Sequence, residues 1–280
     1  MKKFLPLLLV LAVLSSCHKK ETTVVCEQFT LDDAAYLTDD QQDSLTINLA
    51  MEYPTQIYPD SVKDRIQKDI MLHLFGDAFV EMEPQQALEA YAAMLKTEYK
   101  LNNQPLLEEL LENGVDEEMR GAILCQEQSL SGSVMGIVKD IMSYGVERYV
   151  FLGGPHGNNY RLFVNFDLLS GKELREKDIF EEDYEDQLTE LLLKNMVEQN
   201  DEIDLIKDLE MAGYNVDDIH PNDNFYLAEE GITYVFNPYE IAPYSMGETE
   251  ILIPWEDAEP LLQSHVKEGR TLPYFLKKLF

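Results

Sequence analysis

Residue types that could support catalysis or metal binding occur throughout this chain, but their spacing is unfavourable. The five histidines, at positions 18, 73, 156, 220 and 265, are far apart. No two are separated by four residues, as in the helical histidine pairs that bind zinc. The chain also has no phosphate-binding loop, no dinucleotide-binding glycine pattern and no Gly-x-Ser-x-Gly nucleophile motif. The sequence therefore predicts no catalytic residue, no metal ligand and no cofactor.

Carboxylates offer an alternative chemistry. Two carboxyl groups at a suitable separation can hydrolyse a glycosidic bond, and the adjacent pairs Glu181–Glu182 and Asp217–Asp218 are candidates. Because the chain contains 53 Asp and Glu, such pairs are also expected by chance on a solvated surface. A peptidoglycan-active enzyme, a glycan hydrolase or deacetylase accessory using surface carboxylates, is thus the alternative hypothesis. A carboxylate pair in a deep cleft would favour it.

One candidate binding loop is the segment FLGGPHG, residues 151–157, at the end of a predicted strand. Its glycines allow a tight exposed loop in which backbone N–H groups and an imidazole face solvent. Gly154 and His156 are therefore candidate ligand-binding residues. The alternative is a turn that needs positive φ angles, with His156 acting as a cap.

A second candidate loop lies within FNPYEIAPYSMGETEILIPW, residues 236–255, which begins and ends like a strand. Prolines lower the entropy of a loop, and tyrosines have the large amphipathic area that is favoured at recognition surfaces. The candidate ligand-binding residues here are Pro238, Tyr239, Pro243 and Tyr244. We expect a rigid loop at one end of the C-terminal sheet, with the loop containing Gly154 nearby. Alternatively, the two tyrosines close one end of a core.

The N-terminus predicts export and lipid attachment. A basic start precedes an apolar run over residues 4–14, which is typical of a secretory signal and too short to span a bilayer. The Leu-Ser-Ser-Cys motif ending at Cys17 resembles a lipobox. We therefore predict a lipoprotein signal peptide at residues 1–16, lipidation at Cys17 and attachment to the membrane through the lipid anchor. The residue after Cys17 is His18 and not the aspartate that resembles an inner-membrane retention signal. This favours the outer membrane of the cell envelope.

The charge of the chain excludes nucleic acid as a natural partner. The formal net charge is −31, and it would become −33 when Lys2 and Lys3 are removed with the signal peptide. Binding nucleic acid requires Lys and Arg to neutralise phosphates, so a strongly acidic chain is unsuited to it. The same charge attracts cationic molecules over long distances, although it also simply favours solubility.

Hydrophobic periodicity predicts elements in blocks of one type. Residues 17–42 are polar and are predicted to be a tether. Predicted helices occupy residues 60–74, 84–99, 105–111 and 182–199, and predicted strands occupy residues 45–49, 122–168, 225–227, 231–236 and 250–253, with a hairpin turn at Ser170-Gly171. Because helices and strands do not alternate as βαβ units, the predicted fold class is α+β, with antiparallel sheets and packed helices in two subdomains.

The segments GGPHG, NFDLLSGKELREKDIF and NFYLAEEGITYVFNPYEIAPYSMGETEILIPW resemble a two-part envelope module of exported bacterial proteins. Residues 43–160 resemble a deacetylase PdaC-like N-terminal α+β domain, which typically ends in Gly-Gly-Ala-His. Pro155 replaces the alanine of that motif. Residues 161–280 resemble the C-terminal domain of unknown function in the anti-sigma factor RsiV.

This resemblance implies an α+β fold and a receptor for lysozyme. The leading hypothesis is therefore a non-catalytic cell-envelope lipoprotein that binds an extracellular protein or glycan. Lysozyme is the leading candidate partner and a peptidoglycan fragment is the second. Hen-type lysozymes are cationic, which is compatible with the charge of this chain.

Overall fold

A computed structural model describes residues 22–138, 140–201 and 203–263. The predicted signal peptide and Cys17 lie outside the described residues. Two sheets, one of six strands and one of three, carry helices on their faces, which confirms the predicted α+β class. Among the helices of the described ranges, none has both the length and the apolar character that crossing a bilayer requires.

The larger sheet has the strand order β1-β2-β3-β4-β5-β6. Its neighbouring strands are antiparallel except for β2 and β3, which are parallel. The parallel pair needs a long crossover connection, and three helices supply it. The strands are β1 (Thr23–Tyr36), β2 (Ser44–Tyr58), β3 (Gln126–Val138), β4 (Ile141–Phe151), β5 (Asn158–Asp167) and β6 (Glu173–Leu174), and the crossover helices are α1 (Lys63–Phe75), α2 (Pro84–Glu112) and α3 (Glu117–Leu124).

The first hydrophobic core lies between this sheet and the helices α1 and α2. Apolar residues recur every four positions at Val62, Ile66, Ile70 and Leu74, from the residue before α1 to its last turn, and all four are buried. Along α2, Leu88, Ala92, Leu95 and Tyr99 form the buried face. The helical spacing of apolar residues therefore matches the packed face of each helix.

The smaller sheet is antiparallel, with the order β7-β8-β9, and packs against a second hydrophobic core. Helix α5 contacts β9 through a face that includes the buried Leu188, Leu192 and Met196. The remaining elements are β7 (Phe225–Leu227), β8 (Gly231–Phe236), β9 (Thr249–Pro254), α4 (Glu176–Ile179), α5 (Glu185–Glu198), α6 (Ile206–Ala212) and α7 (Trp255–Ala258).

Buried polar groups join the two sheets where β4 and β5 meet β7. The Ser143 hydroxyl donates to Oδ1 of Asn165 at 2.6 Å and accepts from the backbone N–H of Leu227 at 2.9 Å. The Asn165 amide donates to the carbonyl oxygen of Phe225 at 2.8 Å. These bonds orient the smaller sheet on the larger one, because each buried polar group has a geometrically defined partner.

The predicted tether at residues 17–42 is wrong over most of its described length. Residues 23–36 form β1, which pairs with β2 along its whole length. Cys26, placed in the tether by the prediction, lies in this strand as a free thiol. Alternate side chains of β1, including Phe29 and Leu31, pack on the first core while the others face solvent. The consecutive polar residues Glu27-Gln28 and Asp32-Asp33 interrupt the alternation of apolar and polar residues that is expected of a strand.

Two predicted boundaries fall inside elements of the structure. Residues 105–111 are not a separate helix, because Pro105 lies within α2, which continues to Glu112. The buried side chains of Asn103 and Leu107 hold the helix in place on either side of the proline. The predicted domain boundary between residues 160 and 161 falls inside β5, and the first core continues beyond it as far as Leu168.

Candidate functional site

The glycine loop (residues 153–157) connects β4 to β5 and is fixed by two close approaches. Gly153 has a φ angle of +88°, and a Cβ atom there would lie 2.4 Å from the carbonyl oxygen of Ile123 in α3. A Cβ atom on Gly157 would lie 2.5 Å from the ring of Tyr149. Both positions favour glycine, and the loop is consequently held against α3 and β4.

The Pro-Tyr loop (residues 237–248) connects β8 to β9. The backbone N–H of Tyr239 donates to the carbonyl oxygen of Ala242 at 3.2 Å, and Tyr239 has a φ angle of +73°. Ile241 is buried, and its carbonyl oxygen accepts a hydrogen bond of 2.7 Å from the Asn215 N–H. The loop is therefore an ordered turn attached to the body of the protein.

The two loops meet through an aromatic cluster that consists of His156, Tyr239 and Tyr244. The rings of His156 and Tyr244 stack with centroids 3.9 Å apart and planes 19° apart. The ring of Tyr239 stacks with that of Tyr244 at 5.6 Å. The Tyr244 hydroxyl donates to the carbonyl oxygen of Gly157 at 2.6 Å. The structure thus brings the two predicted loops together, as expected.

The candidate residues differ in exposure. The side chain of Tyr239 is 63% exposed, and Gly154, His156 and Pro243 are also exposed. Tyr244 and Pro238 are partly buried. Tyr244 therefore connects the two loops and is not a residue of the hydrophobic core. Tyr239 and His156 present the accessible aromatic surface.

The other candidate groups in the sequence are dispersed. The acidic pairs Glu181–Glu182 and Asp217–Asp218 are exposed. A cavity of about 740 Å³ lies between α2 and the turn that joins β1 to β2, and Asp39 is the one carboxylate among the described residues that line it. Within the described ranges, no three His, Cys, Asp or Glu side chains come together as a metal site would require.

The Pro-Tyr loop lies within a segment that matches a known family. Residues 177–256 match the family described as "Protein of unknown function (DUF3298)". The chain carries a DUF3298 domain. This match includes the loop with Tyr239 and Tyr244, while the glycine loop precedes it. No curated protein matches the chain.

Solved structures extend the likeness beyond the DUF3298 domain. A DUF3298-family member from Bacteroides fragilis NCTC 9343 is 29% identical, with a TM-score of 0.79, over 89% of this chain and 98% of that chain. A DUF3298-family protein from Pseudomonas aeruginosa PAO1 is 15% identical, with a TM-score of 0.57, over 89% and 97% respectively. The second likeness shows the fold alone. The resemblance to RsiV and PdaC-like modules remains a prediction.

Asparagine side chains join the DUF3298 domain to β5, and sequence reasoning missed them. Oδ1 of the buried Asn224 accepts from the Phe163 N–H at 2.9 Å, and Oδ1 of the buried Asn237 accepts from the Arg161 N–H at 2.7 Å. Both amides also donate to the carbonyl oxygen of Arg161. These side chains form hydrogen bonds with the backbone N–H and C=O groups at the edge of β5, as a neighbouring strand would. A signal was present, since both asparagines directly flank predicted strands of the DUF3298 domain.

Glu176, at the start of α4, is a buried carboxylate immediately before the DUF3298 domain. Its Oε1 accepts from the backbone N–H of Asp223 at 2.8 Å, and its Oε2 accepts from the Tyr184 hydroxyl at 2.9 Å. The Glu176 N–H donates back to Oδ1 of Asp223 at 2.9 Å. Burial raises the pKa of the Glu176 carboxyl, and the hydrogen bonds from Asp223 and Tyr184 only partly oppose this. The arrangement fastens α4 to the loop before β7.

We expect Glu176→Gln to remove a pH-dependent loss of stability. Because the folded-state pKa is raised, the native state binds more protons, and this contribution to stability falls as pH rises from the ordinary glutamate value through the folded one. The amide oxygen can still accept from the Asp223 N–H, and the amide NH2 can donate to the Tyr184 hydroxyl oxygen, which reverses the direction of that bond. Urea unfolding of the variant and wild type between about pH 4 and 7 should show the variant gaining relative stability as pH rises. Glu182→Gln, at an exposed position, is the matched control; equal slopes for all three proteins would contradict the expectation.

Proposed function

We propose that this chain is a non-catalytic, lipid-anchored protein of the bacterial cell envelope that binds an extracellular protein or glycan, with lysozyme as the leading candidate. The observation that carries the proposal is the aromatic cluster. His156, Tyr239 and Tyr244 come from two ordered loops and leave aromatic surface exposed. Exposed aromatic side chains on ordered loops are suited to recognition, because little conformational entropy is lost on binding.

Apolar side chains flank the aromatic cluster and enlarge the surface available to a partner. On one side, Leu152 is 58% exposed and precedes the glycine loop, which contacts α3 beside the partly exposed Ile123. On the other side, Met246 lies in the Pro-Tyr loop, close to the end of α6, where Met211 is 87% exposed. Apolar surface on a strongly acidic chain suits a partner that combines apolar side chains with a cationic rim.

The net charge supports a cationic partner. A chain with 53 acidic and 22 basic residues attracts cationic proteins at low ionic strength and accelerates their association. Hen-type lysozymes are cationic. The alternative, a carboxylate-dependent hydrolase, has less support, because both acidic pairs are exposed and a single carboxylate lies among the described residues that line the large cavity.

A binding measurement tests the proposal. The lipid-free mature chain, made as Cys17→Ser, would be titrated with hen-type lysozyme by calorimetry, with cytochrome c as a cationic control of unrelated fold and muropeptides as the glycan arm. We expect saturable binding of lysozyme that exceeds binding of cytochrome c at about 0.15 M salt, where long-range attraction is screened. Binding of muropeptides alone would favour the glycan as partner. If neither lysozyme nor cytochrome c binds, or if both bind equally, recognition of lysozyme is rejected. In a separate assay, metal-dependent release of acetate or muropeptides from peptidoglycan would reject the non-catalytic assignment.

The anchor is tested by Cys17→Ser in cells. Because the thiol receives the lipid, we expect complete loss of palmitate labelling and accumulation of an unprocessed or soluble precursor. Detergent partitioning and labelling of the full chain are the measurements, and Cys26→Ser, which changes a cysteine of β1, is the control that should still be labelled. If Cys17→Ser is labelled and partitions into detergent like wild type, the lipoprotein assignment is wrong.

A further inference from the structure

Arg161 of β5 contacts both ends of the Pro-Tyr loop. At the beginning of the loop, the backbone N–H of Arg161 donates to Oδ1 of Asn237 at 2.7 Å, and its carbonyl oxygen accepts from the Asn237 amide at 3.0 Å. At the end of the loop, Nη1 of Arg161 donates to Oε1 of Glu248 at 2.7 Å. A single residue therefore connects two positions that are eleven residues apart along the chain.

We propose that Arg161 is a positioning residue that holds the Pro-Tyr loop on β5 and thereby fixes Tyr239 and Tyr244 before a partner binds. Its consequence for affinity rests on the proposed function, whereas its effect on the order of the loop does not. The aromatic cluster is held by the same part of the chain. The carbonyl oxygen of Gly157, four residues before Arg161, accepts the hydrogen bond from the Tyr244 hydroxyl.

The ion pair at the end of the loop is partly removed from water. The Arg161 side chain is 18% exposed and lies over the ring of Phe163, with the guanidinium carbon 5.0 Å from the ring centroid. Burial alone would lower the pKa of Arg161, but its hydrogen bonds to Glu250 and Glu248 outweigh burial and raise the pKa. The guanidinium is consequently charged across the accessible pH range.

Glu248 depends on this guanidinium. Its Oε2 atom is buried and has no hydrogen-bond partner among the described residues. Removing Arg161 would leave the Glu248 carboxylate partly buried without a compensating charge, which is strongly unfavourable. The carboxylate would then move into water and carry the end of the Pro-Tyr loop with it.

Glu250 provides an internal comparison, because it contacts the same guanidinium from a different element. It lies in β9, where its backbone is paired with Val235 of β8, and its Oε2 accepts from the Tyr226 hydroxyl at 3.2 Å. The strand pairing holds Glu250 in place without Arg161. Losing the contact with Glu250 should therefore leave the loop ordered, whereas losing the contact with Glu248 should not.

Hydrogen exchange of the full-length chain in detergent, without any partner, tests the assignment. The amides of Tyr239, Glu240, Met246 and Gly247 are hydrogen-bonded inside the loop and report its order. In Arg161→Met, which keeps the apolar stem, we expect these amides to exchange at least about tenfold faster, while amides of α1 keep their wild-type rates. Arg161→Lys, which keeps a point charge, should restore most of the protection.

Double variants distinguish positioning from a general structural role. Adding Glu248→Gln to Arg161→Met removes the uncompensated charge and should slow the exchange of the loop amides again, whereas adding Glu250→Gln should not. Unchanged loop exchange in Arg161→Met overturns the assignment, and so does equal acceleration in the loop and in α1. If Arg161→Met does not fold, Arg161→Gln, which keeps hydrogen-bond donors but carries no charge, decides: faster exchange confined to the loop supports the assignment, and wild-type loop exchange overturns it.

A binding arm separates this inference from the proposed function. If wild type binds lysozyme, Arg161→Met should weaken binding about tenfold at a temperature where the variant is folded, and Arg161→Lys should recover most of the affinity. If wild type does not bind lysozyme, the proposed partner is wrong, and the exchange rates still decide the role of Arg161.

Discussion

Asn224→Ala is expected to lower the free energy of unfolding by about 2–3 kcal/mol, a large effect for a single polar substitution. The asparagine oxygen accepts from the buried Phe163 N–H, which would have no acceptor in the variant. The carbonyl oxygens of Arg161 and Val235 would retain bonds from Asn237 and Asn222 respectively. The loss is therefore concentrated on one buried N–H group and on the space left by the amide.

Chemical denaturation measures this effect, with Asn158→Ala as the control. Asn158 is exposed at the beginning of β5, the strand that contains Phe163, so its replacement should change stability by no more than about 0.5 kcal/mol. Asn224→Asp should destabilise at least as much as alanine, because a carboxylate oxygen would face the Arg161 and Val235 carbonyl oxygens in place of the amide donor. Equal unfolding midpoints for Asn224→Ala and Asn158→Ala would show that the hydrogen bonds of the Asn224 side chain to β5 do not stabilise the protein.

Tyr239→Ala is expected to weaken partner binding about ten- to a hundredfold, equivalent to about 1–3 kcal/mol. Because the ring is largely exposed, the melting temperature should hardly change. Calorimetric titration with hen-type lysozyme, together with thermal unfolding of the same samples, separates the two quantities. Tyr160→Ala is the control, since this tyrosine is also exposed but lies outside the aromatic cluster.

Tyr244→Ala should affect both quantities. Its ring stacks on His156 and its hydroxyl bonds to Gly157, so the variant loses contacts between the two loops as well as contact area for a partner. If Tyr239→Ala and Tyr244→Ala both bind like wild type while Tyr244→Ala melts several degrees lower, the aromatic cluster is a structural corner and the recognition surface lies elsewhere.

Local sequence patterns predicted the elements whose stabilising contacts are close in the chain. The strands β7 to β9 match the predicted limits to within one residue, and α2 ends at Glu112, one residue beyond the end predicted for the helix at residues 105–111. The strand β1 was missed because half of its side chains face solvent and consecutive polar residues interrupt its alternation, and its burial depends on pairing with β2. Pro105 suggested a helix boundary, but the packing of α2 along the sheet overrode this local preference.

In the candidate site, too, the sequence predicted local features but not the contacts between residues that are distant in the chain. The prolines and tyrosines of the Pro-Tyr loop indicated an ordered aromatic loop, which the structure contains. The stacking of Tyr244 on His156 joins loops that belong to separate sheets, so no local pattern could specify its geometry. Arg161 and Asn237 were missed because their importance comes from contacts across more than seventy residues of sequence.

The parallel pairing of β2 with β3 also determines the order in which the chain can fold. The hairpin of β1 and β2 can form early, but the inner edge of β2 has no partner until residues 59–125 have been synthesised and β3 has followed. Closing so long a loop makes the central sheet a slow, non-local step. During that interval the unpaired edge of β2, a strand containing Leu45, Ile47 and Leu49, is available to other chains, so the nascent protein is most susceptible to aggregation before β3 pairs.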